Sequence, residues 1–226
     1  MNFKRTVAIL IYTAFVLISV LSILRASEYL NEYGSVSDNL IAGQFSEQVI
    51  KEEFAHLQDN QITVDEFFEM LESGPEFALR SFLKKHQVLV VAAGILLTLL
   101  MLKLKGKQRV LFMILYLIFI GYMTVAFREV GYSRGRLEVF WSYRQFFTSD
   151  RIRLEILNNI WLFVPLGAAL YLPGHRFRWL LAVLLSIMIE IIQFETGMGL
   201  CEIDDVISNS LGALIGYLGI YGLTNS

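Results

Sequence analysis

The stretch EIDDVISNSLGALIGY, residues 202 to 217, opens with three carboxylates and continues as an apolar run carrying an asparagine and a ladder of glycines. Counted in helical steps from Asp205, the residues Asn209, Gly212 and Gly216 fall at offsets of four, seven and eleven, so one stripe of a single helix reads carboxylate, amide, glycine, glycine. Small residues four apart let helices approach closely inside a bilayer. The stretch therefore predicts a membrane helix with a glycine packing seam and a polar mouth.

The rest of the chain agrees with that class. Of 226 residues, 55% are hydrophobic and only 18% charged, and the mean hydropathy is +0.55, a balance outside the range of ordinary soluble domains. A net charge of −2 gives no footing for nucleic-acid binding. The single cysteine, Cys201, excludes an intrachain disulfide framework and any multi-cysteine metal site. No cofactor motif is present, and neither low-complexity tracts nor internal repeats interrupt the chain.

A spanning helix needs about 20 mostly apolar residues. Six stretches approach that length: Thr6–Leu24, Val88–Leu102, Val110–Phe127, Ile156–Leu172, Trp179–Phe194 and Val206–Leu223. The expected fold is an all-α polytopic membrane bundle of about six spans. The first stretch follows Lys4 and Arg5 but is followed by Arg25 rather than by a small-residue cleavage site, so it reads as a retained signal anchor over residues 1–25. Residues 26–87 form an extracytoplasmic segment. There Thr63 and Glu66 make a capping-box pattern ahead of Phe67, Phe68 and Leu71, and Gly74-Pro75 divides two amphipathic helices. An EF-hand ending at Glu66 fails, because its first and third ligand positions would be Ala55 and Leu57. Residues 88–109 supply the second span and a basic cytoplasmic loop.

Lysines and arginines in short loops set orientation. Lys4 with Arg5, KLKGKQR at 103–109 and HRFR at 175–178 all fall on one side of a six-span bundle. That side, with both termini, is assigned to the cytoplasm of a multi-pass cell-membrane protein. The loop between the third and fourth spans then faces outward with six arginines (128, 134, 136, 144, 151 and 153), an excess that calls for local partners. Trp141 and Trp179 read as interfacial anchors.

Polar residues inside spans cost about 2.5–3.5 kcal/mol each when charged and central, which makes them candidates for function. Asn158 and Asn159 lie early in the fourth span, Glu190 and Gln193 late in the fifth, and Asp204, Asp205 and Asn209 early in the sixth. Alternating passes bring all of them to one depth near the outer surface. Each also has a plainer role open to it: Gly212 and Gly216 as packing residues, Asn209 as an interhelical hydrogen bonder, Asp204 and Asp205 as helix caps, Glu190 as half of an ion pair.

Taken in order, N-x-x-x-F-x-P-x-G (Asn159, Phe163, Pro165, Gly167), E-x-x-Q (Glu190, Gln193) and D-D-x-x-x-N-x-x-G-x-x-x-G (Asp204, Asp205, Asn209, Gly212, Gly216) resemble the VanZ-like family of bacterial membrane proteins. The tract 127–146 is similar to that family's arginine-containing segment. The resemblance covers about residues 110–222 and makes 110–226 a VanZ-like core. Many members carry an arginine shortly after E-x-x-Q, whereas GMGLCE at 197–202 has none. The resemblance implies a cell-envelope protein related to low-level teicoplanin resistance, without an agreed biochemical activity.

Two mechanisms of different class remain open at this level. In a binding protein, Arg128, Arg151 and Arg153 hold the anionic headgroup of an envelope lipid intermediate or of a lipoglycopeptide, and the carboxylates orient those arginines. In an intramembrane enzyme, Glu190 acts as acid or base while Asp204 and Asp205 hold a metal for lipid-phosphate hydrolysis or transfer. The histidines at 56, 86 and 175 all fall outside the cluster. The non-enzymatic reading, with membrane lipids as partners and no resident metal, is preferred.

Overall fold

A computed structural model describes residues 3–27, 29–31, 82–126, 135–197 and 201–224. The capping box at 63–66, the Gly74-Pro75 break, Arg128 and Arg134 lie outside the described residues. Among the described residues the fold is all-helical, with one isolated backbone bridge between Arg136 and Glu202.

The helices are α1 (Phe3–Arg25), α2 (Gln87–Leu100), α3 (Gly106–Gly121) running into a π-helical turn (Tyr122–Ala126), the short α4 (Trp141–Arg144), α5 (Asp150–Leu170), α6 (Leu180–Thr196) and α7 (Ile203–Leu223). Three are long and apolar enough to cross a membrane: α1, α3 with its extension to Val125, and α7. The sequence expectation of six is thus met in part. Helix α2, at 14 residues, rises only about 21 Å against a hydrocarbon core of about 30 Å, and α6, at 17 residues, falls a little short in the same way. Helix α5 has the length, 21 residues, but its first turns carry Asp150, Arg151, Arg153 and Glu155.

Helix α5 is the axis of the bundle, buried at every position from Phe163 to Leu170. A helix surrounded by other helices needs no lipid-compatible surface, which is why the most central element is not the most apolar one. Against it lies α7, running parallel. A Cβ added at Gly212 would strike the Ile160 carbonyl, one at Gly216 the Val164 carbonyl, and one at Gly167 the Ala213 carbonyl. The seam read from the sequence is therefore a backbone-to-backbone contact, and Gly167 of α5 belongs to it.

The remaining helices alternate around this pair. Helix α1 runs antiparallel to α7: Tyr12 packs over Gly219 and Ile9 over Gly222, and Arg5 donates to the Thr224 carbonyl. The Trp161 indole of α5 donates to Ser19 Oγ of α1 at 3.0 Å, stacks near Phe15, and occupies space that any Cβ at Gly94 of α2 would fill. Pro165 lacks the amide that would bond Trp161. Near that break, Tyr116 of α3 donates to the Leu162 carbonyl at 2.9 Å.

The two ends of the bundle differ in chemistry. One end gathers Lys4, Arg5, residues 103–109 and residues 175–178, all basic or neutral. There Arg109 donates to the carbonyls of Tyr171 (2.9 Å) and Met101 (3.1 Å), closing the C-termini of α5 and α2 with a cation, the favoured sign at a helix C-terminus. The other end gathers Arg25, residues 135–155, residues 190–197 and residues 201–205, where both signs are mixed.

Candidate functional site

At the mixed-charge end, Asp204 decides the local geometry. It stands at the start of α7, only 1% exposed, and accepts from the Phe140 amide (2.6 Å), the Ser142 amide (2.9 Å) and the Ser142 hydroxyl (2.6 Å). Those donors are the open N-terminus of α4. Phe140 occupies the cap position, has no side chain able to cap, and sits at φ 62 in the left-handed region. A carboxylate 64 positions away in sequence thus does the capping and holds a backbone conformation that a phenylalanine rarely adopts.

The neighbouring turns extend the network. Ser208 donates to the Asp204 carbonyl (2.9 Å) and shares a 2.8 Å hydrogen bond with the Tyr143 hydroxyl. Burial pushes the Tyr143 phenol above its usual range; the Ser208 bond opposes this, and the charges of Asp204 and Asp205 add to it. Tyr143 therefore remains a neutral hydroxyl. Asp205 accepts from Asn159 of α5 at 2.7 Å, and Asn209 donates to Ser186 of α6 at 2.9 Å. Glu190, buried in α6, accepts from the Glu202 amide at 2.7 Å, tying the end of α6 to the start of α7. Gln193 donates to the Thr124 carbonyl of the π-helical turn at 2.6 Å.

The structure thus gathers Asn159, Glu190, Gln193, Asp204, Asp205 and Asn209 at one end of α5, α6 and α7. They form several linked pairs rather than a single cavity lining. Asn158, half-buried, makes no side-chain hydrogen bond with a described residue. Ser142, Tyr143, Ser186 and Ser208 were not singled out from sequence. Two of them carried a signal there: Ser208 is four residues past Asp204 and Ser186 four before Glu190, each on the marked face. Nothing in the sequence pointed to Ser142 or Tyr143, whose role depends on a loop folding back onto α7.

The described arginines of the 135–155 segment have local partners, the outcome expected of an arginine excess there. Arg153 is 2% exposed and donates to the Phe146 carbonyl (3.2 Å) and to Asp150. Its charge serves the start of α5, which leaves it poorly placed to hold a headgroup. Arg151 pairs with Glu155 at 3.1 Å, partly exposed. Arg144 pairs with Glu138 at 2.6 Å, both exposed. Arg136 sits over the Trp141 ring, its guanidinium carbon 4.0 Å from the centroid.

As to metal chemistry, among the described residues no three His, Cys, Asp or Glu side chains stand close enough together to hold an ion. Both oxygens of Asp204 are committed to α4. The metal-carboxylate alternative would have to dismantle the cap to obtain its ligands, and it is not adopted.

The fold and this end define an integral-membrane helix bundle: an intimate α5–α7 pair, an α6 carrying E-x-x-Q, and a carboxylate-anchored loop at one surface. A family model described as VanZ/LLP1 matches residues 110–224, the whole of this core. The chain belongs to the VanZ/LLP1 family, as its motifs led one to expect, and is a membrane protein. Protein VanZ of Enterococcus faecium is a relative, 36% identical over 87 residues that cover 35% of this chain and 51% of that protein. The match therefore spans about half of the relative's length. No solved structure matches the chain.

Proposed function

We propose that the protein is a multi-pass envelope protein whose mixed-charge end faces outward and binds the anionic headgroup of an envelope lipid or a lipidated glycopeptide, in a role related to teicoplanin resistance. Helices α1, α2, α3, α5, α6 and α7 each cross the bilayer, with both termini in the cytoplasm. The observation that carries the reading is that the family match, 110–224, is coextensive with the core that gathers the polar end. The alternation of the helices and the basic character of the opposite end support the orientation. Arg151, partly exposed beside Glu155, is the expected anion-facing residue of the α5 side, and Arg128, outside the described residues, is proposed to join it on the sequence alone. Nothing in this role requires turnover.

Expression of the chain in a teicoplanin-susceptible Gram-positive host tests it. The proposal expects a several-fold rise in the minimal inhibitory concentration of teicoplanin, lost in an Asn159→Ala/Asp205→Ala double variant that still accumulates in the membrane. Unchanged susceptibility with full-length protein in the membrane contradicts it.

A further inference from the structure

Beside the capped turn lies an open cavity of about 460 Å³ lined by Arg136, Glu138, Trp141, Arg144 and Gln145, a volume in the range of small-ligand sites. From this cavity we infer a binding site for a phosphodiester lipid headgroup of net charge −1, distinct from the Arg151 side of α5. The inference rests on the outward, headgroup-binding reading above and gives it a location and a ligand class.

Three observations carry it. The first is charge: two guanidiniums and one carboxylate line the cavity, leaving one net positive charge to match one phosphodiester. Arg136 sits over Trp141, its guanidinium carbon 4.0 Å from the ring centroid, a cation–π contact that restrains the side chain beside the cavity, and a guanidinium offers the paired donors that suit a phosphate. Arg144, tethered to Glu138, supplies the second donor, and Glu138 keeps the site from holding a dianion as well as a monoanion. The second is depth. Arg25, the last residue of the long apolar α1, donates to the Phe147 carbonyl at 2.9 Å, so this loop lies where a spanning helix ends, at headgroup level. The third is the rim. Leu137, Phe140 and Phe147 are 70%, 53% and 72% exposed, apolar side chains that belong against acyl chains rather than in water. A free phosphate would use the arginines and gain nothing from this rim; a lipid uses both.

The test is site-localised quenching of tryptophan emission in nanodiscs. The protein is reconstituted in phosphatidylcholine, and a fixed fraction of lipid brominated near the headgroup end of its chains is added, either as phosphatidylglycerol or as phosphatidylcholine. The part of the signal lost in Trp141→Phe is assigned to Trp141, which separates this site from the basic end around Trp179. Phosphatidylglycerol is expected to quench Trp141 several-fold more than phosphatidylcholine, and an Arg136→Gln/Arg144→Gln variant with an unchanged helical spectrum to lose that preference. Equal quenching by both lipids, or a preference intact in the double variant, overturns the inference. Displacement by soluble glycerol phosphate at millimolar concentration would assign the site to free phosphate and overturn it too. None of these results depends on the teicoplanin phenotype, so the two proposals fail separately.

Discussion

Asp204 holds three donors of a turn it does not belong to, so its removal reaches further than one lost contact. Asp204→Ala orphans the Phe140 and Ser142 amides in a buried setting, at about 1–3 kcal/mol for each unsatisfied group. The variant is expected to unfold several degrees earlier in detergent, and Asp204→Asn, which keeps one acceptor oxygen, to lose about half as much; equal stability of Asp204→Ala and wild type would refute the capping role. Cys201 offers a second residue-level check. Burial, and then the facing carboxylates Glu190 and Asp205, push its thiol above the ordinary value. Because the thiolate is the reactive form, a raised value keeps the thiol protonated and slow near pH 8, with alkylation still accelerating above about pH 9. Glu190→Gln removes one of those charges and should speed alkylation near pH 8; stopped-flow or mass-spectrometric alkylation rates across that range decide it. At this scale the sequence was only partly legible. Asp204 and Asp205 looked alike as a pair, yet one is buried against α4 and the other faces Asn159, a division set by tertiary folding of the 135–149 loop and not by local pattern.

The α5–α7 pair is where sequence and structure agree most closely, and the reason is physical. Close approach of two backbones demands residues without side chains at fixed helical intervals, and that demand is written directly as Gly212, Gly216 and Gly167. A Cβ at Gly216 meets backbone, which cannot rotate away as a side chain can. Gly216→Val is therefore expected at or beyond the upper end of the roughly 1–3 kcal/mol range for overpacking, whereas Gly121→Ala, which meets nothing within 4 Å, costs only what its helix position dictates. Thermal unfolding of both variants in the same detergent should separate them clearly; equal losses would contradict a backbone-contact seam. Helix α5 was legible as an apolar stretch only from Ile156 onward. Its charged first turns, its proline and its amides lower its hydropathy, and its central place in the bundle explains why those residues are tolerated.

For the whole molecule, the chemistry of the two ends follows from alternation. Helices α1, α3 and α6 run one way and α2, α5 and α7 the other, so basic loops collect at one end and the Asn159, Glu190, Gln193, Asp205 and Asn209 set at the other. That gathering was legible because it needs only the order of the spans and their alternating direction. The function of residues 26–87 was not, since an amphipathic sequence pattern carries no chemical signature of a partner. Which surface the polar end faces is measured directly by a membrane-impermeant maleimide applied to intact cells at mildly alkaline pH. The native Cys201 should label from outside, while Pro173→Cys in a Cys201→Ser background, in the α5–α6 loop, should label only after permeabilisation. Labelling of both positions from the same side, or of Pro173→Cys alone in intact cells, would contradict an outward-facing polar site.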